Sequence, residues 1–236
     1  MKSIFFFGWR HAASLLSLCL AVVLPAMSNA QPAGAEGEHF IYRVQPGDTL
    51  IELAERYTGQ SQHWTTLQTL NRVEDPTRLS ISREVRIPFA IIPEVPSAAR
   101  IIHVAGEARV NGATARVGGE LAEGDTLWTD ANGFVTLELS DRSMLSVPPG
   151  SVLHAVRLRT FEGTRLSDAV LDMERGGLES EVAPEEKGVG RFEVLTPVSV
   201  TGVRGTRLRV RSEAEGAQTE VLSGSARLNT QNADNA

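Results

Sequence analysis

The stretch Tyr42–Pro88, YRVQPGDTLIELAERYTGQSQHWTTLQTLNRVEDPTRLSISREVRIP, decides the architecture of the first half of the chain. It starts as a short strand, and Pro46-Gly47-Asp48 turns it. Thr49-Leu50-Ile51-Glu52 is a capping box: the threonine hydroxyl takes the amide three residues on, and the glutamate reaches back. Leu50, Leu53, Ala54 and Tyr57 then fall at i, i+3, i+4 and i+7, one apolar face of a helix. Gly59 supplies the left-handed stop. Trp64, Leu67 and Leu70 predict a similar face on a second helix, with Trp64 read as core. Ile41–Val44 and Val85–Ile87 predict a two-stranded sheet beneath the helices. The order is βααβ, and the core is near the lower limit for folding alone.

Upstream of this module the chain reads as an export signal. Lys2 and Arg10 supply positive charge, and an apolar run from Ala12 to Leu24 is short for a membrane span. Pro25 breaks the run, and Ser28-Asn29-Ala30 places small residues for cleavage after Ala30. Residues 1–30 are therefore predicted to be a signal peptide, with an uncleaved anchor as the alternative. Cys19 lies inside the apolar run behind Leu18, which is too bulky for a lipid-attachment box. Cleavage removes this only cysteine, and with it any disulfide, thiol nucleophile or thiolate metal site. It also removes two of the 23 basic residues and none of the 29 acidic ones, leaving a net charge near −8. That balance argues against nucleic acid as a partner. No second long apolar run exists, so no membrane span is expected after cleavage.

Residues 31–39 are rich in Gly, Ala and Glu and are expected to be a disordered leader. The first module takes residues 40–89. Pro88, Pro93 and Pro96 favour an extended, semi-rigid backbone, so residues 90–99 are expected to be a linker. Residues 229–236 are polar and small, a tail expected to fray.

From Arg100 the period changes. Apolar and β-branched runs recur roughly every 8 to 12 residues between turn signals, the pattern of an all-β unit. The turns include Asn111-Gly112, Asn132-Gly133, Pro148-Pro149-Gly150, Gly176-Gly177, Gly202 and Gly216. Phe134–Leu139, Val152–Val156, Ala169–Met173, Phe192–Thr196 and Arg207–Arg211 are expected strands. Residues 100–228 are thus predicted to form a larger all-β domain, a sandwich, barrel or β-roll. The fold class of the whole chain is α+β.

The Val-x-x-Gly-Asp-Thr-Leu run ending at Leu50, the helix behind it, Leu70-Asn71 and the closing Ile87-Pro88 resemble a LysM domain, a small module that grips N-acetylglucosamine glycans. The resemblance implies a glycan site across two loops, formed by Gly47, Asp48, Thr49 and Leu50 and then Arg78, Leu79, Ser80 and Ile81. N-acetyl groups need amide donors, carbonyl acceptors and a shallow apolar seat, and Gly47 lets the backbone come close. Asp48 and Thr49 have a second reading, as turn and cap residues only. The family commonly carries Pro-Gly where this chain has Ser82-Arg83, so that loop is expected to differ in shape.

The second half resembles a FecR domain. The resemblance is carried by Leu121–Thr129, Gly133–Asp141, Ser143–Pro148, Gly176-Gly177, Phe192–Pro197 and Gly202–Thr206. Its most specific part is Thr196-Pro197 followed by Val203-Arg204-Gly205-Thr206, read as structural, with Arg204 bonding turn carbonyls of its own segment. The family usually has Asp-Gly-Ser where this chain has Asp141-Arg142-Ser143. Arg tolerates positive φ poorly, so a different turn type is expected there.

Other signals are bland. Arg207, Arg209 and Arg211 alternate along one strand and read as a solvated, edge-protecting face. His39, His63, His103 and His154 lack metal-ligand spacing, so no metal and no cofactor are expected. No nucleophile motif appears, and carboxylate pairs are unavoidable among 29 acids, so no enzyme is expected. The sequence reads as an exported, periplasmic or secreted envelope protein. Its first module would bind peptidoglycan or a related glycan, and its second would bind or scaffold an envelope protein. The alternatives are a membrane-anchored FecR-type regulator sensing a TonB-dependent receptor, and a cell-wall hydrolase or its accessory.

Overall fold

The computed structural model describes residues 32–182, 190–213 and 216–230. The signal-peptide reading of residues 1–30, with cleavage after Ala30, lies outside the described residues, as does most of the expected tail.

The first module runs β1 (Pro32–Glu36), β2 (His39–Arg43), α1 (Leu50–Thr58), α2 (Trp64–Asn71) and β3 (Glu84–Pro88). Both arms of the capping box are made at Thr49 and Glu52, and Gly59 stops α1 at φ 65°. The antiparallel β2–β3 ladder sets Phe40 opposite Ile87 and Tyr42 opposite Val85. These four side chains, with Leu50, Leu53 and Leu67, are fully buried. Tyr57 lays its ring against Phe40 and Tyr42, with centroids 5.0 and 5.4 Å apart.

Three expectations for this module change. The leader expected to be disordered holds β1, which makes a three-stranded sheet by pairing antiparallel with β2. Main-chain pairing at a sheet edge needs no apolar pattern, so a Gly- and Ala-rich segment can supply it. Leu70 is exposed at 38 %, so the second helix buries Leu67 fully and Trp64 only by half. Ser82 adopts φ 65°, the left-handed conformation that suits glycine. Ser82→Gly is therefore expected to stabilise the protein by about 0.5 kcal/mol, the relief of left-handed strain partly offset by glycine's larger unfolded-state entropy. The urea midpoint measures it.

The segment expected as an extended linker opens instead with a 3-10 turn, Phe89–Ile91, becomes extended only after it, and is pinned. Phe89 and Ile92 are buried in the first module's core together with Phe161 and Leu166 of the second, and the Phe89 and Phe161 rings stack at 4.4 Å. Beyond them, β4 (Glu94–Pro96) pairs antiparallel with β12 (Val152–Phe161), setting Val95 opposite Thr160. An edge position tolerates proline because the missing N–H faces away from the ladder. The small core of the first module is thus enlarged by residues of the second.

The second module is one curled, all-β sheet. After β4 come β5 (Ala98–Ala105), β6 (Ala108–Val110), β7 (Ala113–Thr114), β8 (Glu120–Ala122), β9 (Thr126–Thr129), β10 (Phe134–Glu138) and β11 (Met144–Val147). Then follow β12, β13 (Leu166–Glu181), β14 (Arg191–Thr196), β15 (Ser199–Glu213) and β16 (Gly216–Thr230). β13 is the spine. Its first half pairs with β12 on one side and, in parallel, with β14 on the other. Its second half pairs with β11 and β15. Alternate residues such as Leu137, Leu145, Leu153, Leu171, Leu178 and Leu208 fill one continuous core.

Here too the turn reading is corrected in places. Gly176-Gly177 and Gly202 lie within β13 and β15, not at turns. Asn229 and Thr230, expected in the tail, end β16. Arg142 does take positive φ, 67°, so the Asp141-Arg142-Ser143 turn keeps the conformation a glycine would adopt. Asp141 Oδ1 accepting the Ser143 amide at 2.9 Å and the Arg142 amide donating to Leu139 O at 3.0 Å hold it there.

Buried charge ties the linker segment to the β domain. Asp168 is fully buried and accepts two hydrogen bonds from Arg191, at 2.6 and 2.5 Å, and one from Arg157 at 3.1 Å. Arg157 also reaches Glu94 of β4 at 3.0 Å. Arg159 grips Glu123 with two bonds of 2.9 Å, and this pairing, with the Leu158 amide, holds the Glu123 carboxyl down at about 2.

Candidate functional site

The two loops that the sequence assigned to a ligand lie side by side. The Ser82 amide donates to Val44 O at 2.9 Å and the Val44 amide to Arg83 O at 2.9 Å, which zips the base of the loops together. At their far end the Leu50 amide donates to Pro76 O at 3.0 Å. The second loop is held from both flanks. Asp75 Oδ1 accepts from the Thr77 hydroxyl at 2.6 Å and from its amide at 2.9 Å, and these bonds hold the Asp75 carboxyl below its ordinary range. Asn71 brackets the end of α2 against β3, donating to Leu67 O and Arg86 O and accepting from the Arg86 amide. Arg83 donates to Asn71 O at 2.6 Å.

Within this frame the eight candidate residues divide. Gly47 (φ 91°), Arg78, Ser80 and Ile81 are exposed, with Ile81 at 63 %. No atom lies within 4 Å of where a Gly47 side chain would start, so its backbone is open to a ligand. Thr49 and Leu79 are half-buried, and the Thr49 hydroxyl is engaged with the Glu52 amide and carboxylate at 3.2 and 3.1 Å. Asp48 and Leu50 are buried. Leu50 is core. Asp48 accepts from the Tyr42 hydroxyl at 2.6 Å and the Gln45 amide at 2.7 Å, and it faces Arg56 at 3.4 Å. Burial, and then this bond to Asp48, push the Tyr42 phenol well above the ordinary tyrosine value. Asp48 is thus a side chain that shapes the turn from inside, and it can offer a ligand only its backbone.

Tyr42, Asn71 and Arg83 were not singled out from sequence as positioning residues. The signal was partly present, because Asn71 sits in the motif and Tyr42 opens it, but their partners lie across the module. The arrangement that results is a shallow rim of loop backbone with one exposed aliphatic side chain. It can exchange hydrogen bonds with amides and hydroxyls and seat a methyl group. Among the described residues no three His, Cys, Asp or Glu side chains are grouped to hold a metal ion.

In the β domain, Thr196 is buried, and its hydroxyl accepts the Ser199 amide at 3.0 Å across the β14–β15 turn, with Pro197 exposed at the tip. Val203, Arg204, Gly205 and Thr206 fall in the middle of β15, where the pairing with β16 slips between Arg204 and Arg207. The side chains of these four residues lie outside the described set, and with them the expected Arg204 contacts. The Arg stripe is paired across strands, Arg207 to Glu181 at 2.7 Å and Arg209 to Glu179 at 2.7 Å. A cleft of about 630 Å³ opens between the modules, lined in part by Phe89, Arg191, Glu193, Gly202 and Arg227. It borders the His39 and Pro88 end of the β2–β3 ladder, away from the two loops.

A small module of strands and helices whose two loops form a shallow rim, joined to a curled all-β domain, defines the class of protein by its architecture. The families follow from the same residues. Residues 42–88 match the LysM domain and residues 125–227 match the FecR protein family, so the chain carries a LysM domain followed by a FecR domain. Domains of the LysM family typically bind N-acetylglucosamine glycans such as peptidoglycan, and both families are non-enzymatic kinds of protein. Two crystal structures of a candidate anti-sigma factor from Parabacteroides distasonis are similar over 44 % of this chain, at 17 % and 21 % identity and TM-scores of 0.35. The match spans 47 % and 46 % of those chains, about half their length. No curated protein matches the chain.

Proposed function

We propose that this is an exported, non-catalytic envelope protein that holds peptidoglycan through the Gly47 and Ile81 loops and presents the FecR domain to a protein partner. The observation that carries this reading is the exposed, open backbone at Gly47 beside the 63 % exposed Ile81, on loops fixed by Asp48 and Asn71 from behind. An aliphatic side chain left in water at the rim of a LysM domain suits the methyl of an N-acetyl group.

Co-sedimentation of the purified chain with isolated sacculi tests it. The chain is expected to pellet, and Ile81→Glu to weaken pelleting by roughly tenfold or more, because it replaces an apolar contact with a charge. Ile81 is exposed, so circular dichroism should be unchanged. Equal pelleting of the wild type and the variant would move the site elsewhere. Asp48→Ala is a poor probe, because it strips the partner of Tyr42 and loosens the module itself. Release of soluble fragments from the sacculi would favour a hydrolase.

The FecR match over residues 125–227 supports a second reading, a regulator held to the membrane by a retained N-terminal apolar run. Intact mass of the protein recovered from cells separates the two: loss of residues 1–30 removes the anchor that the regulator needs.

A further inference from the structure

Among the described residues β16 pairs with β15 and with no other strand, so its outer side offers a row of free backbone groups along 15 residues. Long open edges of this kind are templates for pairing with another chain. The inner face shows that the core layer stops one strand short. Leu208, Val210 and Thr201 of β15 are fully buried. Their neighbours on β16, Val221 opposite Leu208 and Leu228 opposite Thr201, are 43 % and 54 % exposed.

The outer face carries charge that is unfinished in a complementary way. One cross-strand row runs Glu179, Arg209, Glu220 and ends on the acid at the edge. Another runs Glu193, Gly202, Arg227 and ends on a base. Glu220 and Arg227 are seven positions apart, which in a regular strand puts them on opposite faces. A slip in β16 corrects this: Val221 pairs with Leu208 and Ser223 with Arg207, leaving Leu222 as an extra residue. That bulge returns Glu220 and Arg227 to the same face.

We propose that β16 is the contact between two copies of this chain, paired antiparallel about a two-fold axis at Gly224. In that register, with Leu222 bulged in both strands, Val221 faces Ala226 of the second copy, Glu220 faces Arg227, Thr219 faces Leu228 and Gln218 faces Asn229, each pair occurring twice. Every pair joins residues of the same face. Both edge charges find an opposite, and both half-exposed aliphatic side chains gain cover. A foreign strand could use the same backbone groups, but the strand's complementarity to its own reverse singles out a second copy. The dimer carries two LysM domains, which makes attachment to a polymer bivalent.

Sedimentation equilibrium of the full chain, with charge-swapped variants, tests the pairing. The wild type is expected to dimerise. Glu220→Arg alone sets Arg against Arg twice, and Arg227→Glu alone sets Glu against Glu twice, so each is expected to weaken the dimer on the order of tenfold. An equimolar mixture of the two variants restores both opposite-charge pairs and is expected to form a heterodimer of wild-type affinity. That recovery also shows that both variants are folded. A monomeric wild type, a dimer indifferent to either swap, or a mixture no tighter than the separate variants overturns the proposal.

Discussion

Asp168→Ala is expected to destabilise the protein by about 3 to 5 kcal/mol, the range for removing one member of a buried ion pair. Asp168 is fully buried, and three guanidinium hydrogen bonds converge on it from Arg191 and Arg157. Removing it leaves two cations whose remaining shared acid is Glu94, 3.0 Å from Arg157 and 3.9 Å from Arg191. Asp168 and Arg191 are direct partners in the parallel β13–β14 pairing. Glu94 lies on β4, so the loss also loosens the strand that joins the two modules. The expected result in urea is a lowered midpoint for both modules together, with the Val95 amide exchanging faster in native buffer. Asp168→Asn keeps the shape and two acceptor sites and is expected to cost less than alanine does. A midpoint within about 1 kcal/mol of wild type for Asp168→Ala would mean that the two arginines are stable when solvated and that the network contributes little.

The parts of this fold that were legible in sequence are those whose causes are local. Thr49, Glu52 and Gly59 mark α1 because a cap and a left-handed stop act within one or two turns. The site loops were legible for the same reason, since Pro46-Gly47 can do little but turn. What those loops contain was not. Asp48 reads as a turn residue, yet its carboxylate is fixed by Tyr42, six positions away on a different element. The prolines gave the extended backbone of residues 93–96 but hid its attachment, because pairing with β12 is made through main-chain groups. The same limit explains β1, a strand whose composition reads as disorder and whose order comes from β2. In the β domain, turn residues located most strands, while partners such as β13 with both β14 and β15 depend on contacts that no residue type announces. Gly176-Gly177 reads as a turn yet sits inside a strand, because a turn and a close approach at positive φ ask the same thing of glycine.

That positive-φ glycine is the basis of the second large effect. Gly176→Val is expected to cost about 3 to 5 kcal/mol, combining a strained backbone with an overpacked contact. Gly176 holds φ 89°, and a Cβ there would sit 2.4 Å from Ser151 Oγ and 2.6 Å from Ser151 Cα. Ser151 cannot step aside cheaply, because its hydroxyl accepts the Gly177 amide at 3.0 Å and its amide donates to the Thr129 hydroxyl at 3.0 Å. The position matters because β13 changes partners there, from β12 and β14 before it to β11 and β15 after it. A valine that pushed the strand away from Ser151 would misalign one set or the other. Gly150→Ala separates the two causes: it has φ 72° but nothing within 4 Å of its Cβ, so it bears strain alone and is expected to cost about 1 kcal/mol. If both substitutions shift the urea midpoint equally, backbone conformation accounts for the whole effect. If Gly176→Val costs several times more, the close approach of Ser151 is what requires glycine, and packing between the Ser151 segment and the spine of the sheet dictates the residue.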